Sequence, residues 1–268
     1  MTCKFTPWIL SKNHAEHISR TLLETNNEIA GAVIFDKQTT SSSKIIFTEH
    51  GKQDSVRISL QKNHMLSFHT HPAIAYRQAG CVYGHPSGDD IREYLKLCMD
   101  GALNHAVFTL EGVYIIQIHP LMVTFMLKLN RKQRDKILNY IFAYFREFHG
   151  KRTYANVKAT KYTPREFVKE CNGFSLLNLK SNSNFHDFPT FPNRILCCVW
   201  FFSDNFKKYE NDIDSLWYEI QRNSLQVTFN NLHIPISFSF LMLRPIDRTL
   251  SNVLINVKDC VQSAAHAA

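Results

Sequence analysis

The sequence has no C-x-x-C pair, and its seven cysteines are an odd number. A disulfide framework needs paired cysteines in an oxidising compartment. The thiols are therefore expected to be reduced and buried, in an intracellular protein of the cytoplasm or nucleus. No apolar run approaches the ~18 residues of a membrane span. The N-terminal stretch carries Lys4 and a short apolar patch from Phe5 to Leu10, and it lacks the hydrophobic core of a signal peptide. These absences exclude a disulfide-stapled scaffold and an integral membrane protein as expectations. The second half carries no internal repeat of the first and no motif of its own.

What is present is an ordinary globular composition. The chain has 268 residues, 44% of them apolar, which is enough for one large or two modest domains. The character changes past Gly150, so the expected division is residues 1–150 and an α+β C-terminal region over 151–268. The second region has enough apolar residues for a small core of its own, or it packs onto the first as an extension. The net charge of +8 suits an acidic partner or nucleic acid. Yet the basic residues are scattered. The densest group, Lys128, Arg131, Lys132, Arg134 and Lys136, reads as the solvated face of one helix. Neither nucleic acid nor a membrane is the expected partner.

The stretch from Phe68 to Ile91 carries the chemistry. It reads F-H-T-H-P, then a mixed loop, then G-H-P-S-G-D-D-I. His69 and His71 stand two apart at the end of a predicted strand, so both imidazoles point to one face and can reach one metal ion. Pro72 ends the strand because it has no ladder donor. Ser87 and Asp90 mark a helix start, and Asp90 is a candidate third ligand. Two His and one carboxylate around zinc leave the fourth tetrahedral position for water, as in hydrolytic sites. Each piece alone is weak. With 13 histidines in the chain, about 0.6 His-x-His triplets arise by chance. Ser-x-x-Asp is also an ordinary helix cap.

Their joint order resembles the JAMM/MPN metalloprotease signature. Glu28-Ile-Ala-Gly31 stands for its E-x-x-G, His69-Thr-His71-Pro72 for its H-[ST]-H-P, and Ser87-x-x-Asp90 for its S-x-x-D. The resemblance covers roughly the first half of the chain. The gap from Pro72 to Ser87 is longer than in the commonest members. Longer spacers with Tyr and Gly, as at Tyr76 and Gly80, are similar to those of members from large DNA viruses. The resemblance implies an α+β fold, a mixed sheet of the cytidine-deaminase-like kind flanked by helices. It implies one catalytic Zn²⁺ on His69, His71 and Asp90, with Glu28 as general base and Ser87 donating to the oxyanion. The implied activity is a deubiquitinase-like isopeptidase acting on ubiquitin or ubiquitin-like conjugates.

Two other readings stand beside it. One is a non-catalytic MPN-type scaffold, against which every ligand position is filled. The other is a role near DNA, because Pro86-Ser87-Gly88-Asp89 resembles the P-S-G-D of bacterial relatives associated with DNA repair. There the His-Pro pair and the serine stand too far apart for the pattern. Cys81 and His85, with His64 or His119, are weaker candidates for a second metal. Asp89 reads as a solvated acid favouring a helix N-terminus. His14 and His17 read as surface residues.

Apolar periodicity places the elements. Helices are predicted over 11–25, from Ile91 to Gly101, over 121–148 as one long helix, from Thr163-Pro164-x-Glu166, over 213–220 and over 250–261. Strands are predicted over 29–35, 45–48, 56–60, 65–69, 106–110, 113–118, 195–202 and 234–240.

Overall fold

The computed structural model describes residues 5–9, 12–35, 42–51, 56, 66–74, 83–100, 104–118, 120–150, 163–174, 195–201 and 233–237. In chain order these form β1 (Phe5–Ile9), α1 (Lys12–Glu24), β2 (Ile29–Phe35), β3 (Ser42–His50), β4 (Leu66–Thr70), α2 (Gly88–Met99), β5 (Asn104–Phe108) and β6 (Gly112–Ile118). There follow α3 (Pro120–Lys128), α4 (Arg131–Gly150), α5 (Pro164–Gly173), β7 (Ile195–Phe201) and β8 (His233–Ser237). The class is mixed α+β. The expected helices over 213–220 and 250–261 lie outside the described residues. So do Ile58 and Leu60 of the strand expected over 56–60, and Val56 is in no strand.

Six strands make the main sheet, in the order β3-β2-β4-β5-β6-β7, while β1 and β8 pair separately. The pair β4–β5 is parallel and its neighbours are antiparallel. Parallel neighbours need a crossover, and α2 lies within it. β4 and β5 are buried at every position, as expected for central strands covered on both faces. On one face, Val107, Tyr114 and Ile116 pack with Ile91, Tyr94 and Leu95 of α2 and with Ile137, Ile141 and Phe145 of α4. Phe68 and Phe108 meet edge to face, with centroids 5.7 Å apart. Strand alternation puts them on the opposite face from His69 and Val107.

Two findings refine the predicted elements. The helix expected over 121–148 is two helices. Asn130 interrupts it, because its Oδ1 accepts from the Gln133 amide at 3.0 Å while Gln133 Oε1 accepts from the Asn130 amide at 3.1 Å. That reciprocal pair is a capping box, and it starts a second helix at Arg131. The other finding concerns the sheet, which runs across residue 150. β7 pairs with β6 in register from Ile195↔Ile118 to Phe201↔Gly112. Phe167, Cys171 and Phe174 join the same core as α2 and α4. The start of α5 is as the sequence predicts, with Thr163 and Glu166 in a capping box and Pro164 in the first turn.

Gly31 is required by a close approach. A Cβ there would run into the Ile46 carbonyl oxygen and stand 2.6 Å from the Phe68 ring. Gly31→Ala is expected to cost about 1–3 kcal/mol by overpacking and to push β2 away from β4. An unchanged urea midpoint for this variant would contradict that packing. Among the described residues, no helix is long and apolar enough to cross a membrane.

Candidate metal centre

The site forms where β4 ends and α2 begins. Outside the carboxyl ends of parallel strands is where open α/β sheets commonly place ligands. His69 sits on β4, fully inside the sheet. His71 follows it, held in line because its amide donates to the Phe108 carbonyl at 2.8 Å. Asp90 comes from the first turn of α2. Ser87 caps that helix: its Oγ accepts from the Asp90 amide at 3.1 Å, and Asp90 Oδ2 accepts from the Ser87 amide at 2.6 Å. The cap and the ligand role coexist in one side chain. The same carboxylate that closes the capping box turns its oxygens toward both histidines.

The three candidate ligands converge. His69 Nε2 lies 3.0 Å from His71 Nε2. Asp90 Oδ1 is 3.3 Å from His69 Nε2, and Asp90 Oδ2 is 3.5 Å from His71 Nε2. A tetrahedral zinc with bonds of ~2.0–2.1 Å needs ligand atoms about 3.3–3.4 Å apart. Each imidazole has an Asp90 oxygen near that distance, and one ligand atom from each of the three residues lies within 4.8 Å of the others, so the donor set could hold a metal ion. His69 is buried, while His71 and Asp90 keep side-chain exposures of 13% and 20%. One side of the trio is thus open to a water or a substrate. Among the described residues, these three are the group of His, Cys, Asp and Glu side chains close enough to share a metal.

Glu28 is brought to the same place by register. Ala30 pairs with His69 across β2 and β4. Continuing the antiparallel ladder sets Glu28 opposite His71. Its neighbours fix it there. The Ile29 amide donates to Thr70 Oγ1 at 3.0 Å, and the Gly51 amide donates to the Glu28 carbonyl at 2.8 Å. Glu28 is 6% exposed, deep enough for its charge to be felt by His71.

Both ligand histidines are held from behind through Nδ1. His71 Nδ1–H donates to the Gly84 carbonyl at 2.6 Å. Gly84 is itself anchored, since its amide donates to Glu111 Oε1 at 2.9 Å, an oxygen that also accepts from the Tyr114 hydroxyl at 2.8 Å. His69 Nδ1 meets His105 Nε2 at 2.8 Å, and His105 Nδ1 meets Ser67 Oγ at 2.8 Å. Neither Glu111 nor His105 is singled out by the sequence. Glu111 reads as a turn residue between the strands predicted over 106–110 and 113–118, and His105 falls just before the first of them. The available signal was a His and a Glu at positions where their neighbours are buried and apolar.

The remaining candidates are placed as follows. His85 is buried and stacks on Phe167, with centroids 4.4 Å apart and planes 9° from parallel. Cys81, His64 and His119 lie outside the described residues. Asp89 is exposed and pairs with Arg92. His17 is exposed, and nothing about the side chain of His14 is described.

The electrostatics are those of an ion pair waiting for a competitor. Burial lowers the affinity of His71 for a proton, but Asp90, Glu28 and the Gly84 carbonyl outweigh it and raise the pKa to about 9. Burial pushes Asp90 upward, yet the His69 and His71 rings beside it hold its carboxyl well below the ordinary range. Burial, then the nearby His69, keeps His105 well below its ordinary value. The His71 shift stabilises the metal-free fold in full below the ~6.5 of an unfolded chain. That contribution, about 3 kcal/mol, is lost as pH rises through the folded value of about 9. The Asp90 shift is the other half of the same pair and is counted once; it is lost only as pH falls through its low folded value. Metal-free protein is therefore expected to unfold at lower urea at pH 9.5 than at pH 6. A metal ion bound there would have to displace the His71 proton, so its apparent affinity is expected to fall about tenfold per pH unit below 9. A pH-independent affinity between pH 6 and 8 would contradict the pairing.

No family model matches the sequence, and no solved structure matches it. The chain is similar to uncharacterized protein R413 of Acanthamoeba polyphaga mimivirus. The two are 26% identical over 147 residues, covering 50% of this chain and 40% of that protein. The chain thus spans about two fifths of the length of the curated relative it matches.

Proposed function

We propose that the chain is a zinc-dependent hydrolase of the JAMM/MPN type, cleaving the isopeptide bond between a lysine and ubiquitin or a ubiquitin-like modifier. The observation that carries this reading is the meeting of four motif residues. The Nε2 atoms of His69 and His71 lie 3.0 Å apart, with one Asp90 oxygen 3.3 Å from the first and the other 3.5 Å from the second, and buried Glu28 lies across the strand pair from His71. The element order supports it too. Glu28 opens a strand antiparallel to the His-x-His strand, and Ser-x-x-Asp opens the helix after it.

His69, His71 and Asp90 would hold the ion. A zinc ion there supplies Lewis acidity and brings the pKa of water from 15.7 toward ~7. Glu28 takes the proton of the attacking water and delivers it to the leaving lysine amine. Its burial next to cationic groups suits a carboxylate that must accept a proton and release it again. Ser87 Oγ accepts from the Asp90 amide, which leaves its O–H to donate to the carbonyl oxygen as negative charge develops. Such a donor is worth ~3 kcal/mol. The side exposures of His71 and Asp90 mark the face by which the substrate enters. An extended modifier tail would add as a strand beside that cleft.

No cysteine need take part. Cys98 and Cys171 are free and buried, and burial pushes the Cys98 thiol up to about 12, far from a nucleophilic thiolate. Free thiols also fit action inside the cell.

The test is a panel of ubiquitin and ubiquitin-like isopeptide conjugates incubated with zinc-loaded protein. Cleavage of at least one conjugate, abolished by a chelator and restored by zinc, is expected. Stoichiometric zinc with no turnover on any conjugate would overturn the hydrolase and leave the scaffold reading.

A further inference from the structure

We infer that His105 is a positioning residue: it fixes which nitrogen of His69 carries the proton, and thereby sets how tightly the centre holds its ion. The inference rests on the metal-binding reading of His69, His71 and Asp90. A neutral imidazole has one N–H and one lone pair, and only the lone pair binds a metal. For the centre to work, both Nε2 atoms must present lone pairs, so both Nδ1 atoms must be protonated. His71 meets this need simply, because its Nδ1 faces the Gly84 carbonyl, which only accepts. His69 has no such partner. Its Nδ1 faces another imidazole nitrogen, His105 Nε2, at 2.8 Å, and that atom is able to accept or donate.

The direction is set one residue further out. Ser67 Oγ lies 3.3 Å from the Asn104 carbonyl and 2.8 Å from His105 Nδ1. The carbonyl only accepts, and the Ser67 hydroxyl is placed to donate to it. Ser67 Oγ is then left to accept from His105 Nδ1–H. A neutral His105 consequently offers its Nε2 lone pair, which accepts from His69 Nδ1–H. The His69 Nε2 lone pair is turned into the site.

The ring geometry agrees with a bond of this kind. The His69 and His105 planes lie within 24° of each other, with centroids 4.9 Å apart, so the contact runs edge to edge near both ring planes. Tyr94 lies near-parallel to His105 at 5.2 Å and restrains its rotation. Ser67, Asn104 and His105 are all at most 1% exposed, so no bulk water competes for these groups. The pairing Ser67↔His105 across β4 and β5 supplies the register that makes the relay possible.

The test compares His105→Phe with His105→Gln and Ser67→Ala. His105→Phe keeps a flat ring against Tyr94 and removes the acceptor. His105→Gln returns an acceptor through its amide oxygen. Two quantities are read: zinc affinity by competition with a chelator, and the ring nitrogen shifts of His69 in metal-free ¹⁵N-labelled protein. The wild type is expected to show His69 protonated at Nδ1. His105→Phe is expected to lose that preference and to bind zinc 10–100-fold more weakly, the range for residues behind a ligand. His105→Gln should recover most of both. Should His105→Phe fail to fold, Ser67→Ala, which deletes a single oxygen, is expected to move both quantities in the same direction by a smaller factor. Zinc affinity within twofold of wild type in His105→Phe, or in Ser67→Ala where the former does not fold, overturns the inference. So does a wild-type His69 that carries a proton at Nε2 and none at Nδ1. If the wild type binds no zinc, the metal reading fails by itself, and the His69 shifts still decide the relay.

Discussion

Glu28→Gln is expected to lower isopeptide cleavage by about 10²–10⁴-fold, the range supplied by a positioned general base, while leaving zinc bound at the same stoichiometry. The substitution is close to isosteric, and two backbone bonds that place this stretch do not involve the carboxylate. The Gly51 amide still finds the carbonyl of residue 28, and the Ile29 amide still finds Thr70 Oγ1. A glutamine amide can hold a water in place but cannot take its proton. The loss should therefore fall on kcat, with zinc affinity changed by a few-fold at most, because the charge of Glu28 is one of the smaller influences on His71. Cleavage by Glu28→Gln at the parent rate would show that another group is the base.

The other large effect is on stability. A ligand that binds only the folded state at 1,000 times its Kd stabilises by ~4.1 kcal/mol. For a chain of this size that corresponds to roughly 10 °C in melting temperature. Zinc is expected to produce a shift of that order in the wild type and in Glu28→Gln, and none in His71→Ala. Asp90→Asn should also lose the shift, since it removes the negative charge that faces both histidines at 3.3 and 3.5 Å. It keeps an oxygen for the Ser87 cap, so its metal-free melting temperature reports the lost ion pair more than a lost helix start. A full zinc shift in His71→Ala would place the ion elsewhere.

The grouping of His69, His71 and Asp90 was legible in the sequence because its rules are local. A strand of period 2 puts His69 and His71 on one face, and the third helical position after Ser87 points Asp90 back toward the cap. Both follow from spacing alone. The long-range part came from the motif order, and its physical cause is the antiparallel register of β2 on β4, which spacing cannot supply. The supporting residues were hidden for that reason. His105 matters only because β5 lies parallel to β4 with Ser67 beside it, and Glu111 only because the residue after His71's loop returns Gly84 to it. The split between α3 and α4 is not marked because no Pro or Gly falls between Leu121 and Phe148, and Asn130 and Gln133 cap less conspicuously than Ser and Glu. The joining of β7 to β6 is a pairing between distant segments with no local signature in either.

The central claim is that one ion sits between His69, His71 and Asp90, and crystals grown with zinc test it most directly through an anomalous difference map at the zinc edge. One peak per chain is expected, about 2.0–2.2 Å from the two Nε2 atoms and an Asp90 oxygen, with a water in the remaining direction. A map with no peak at this point, or with its peak on other residues, would contradict the account.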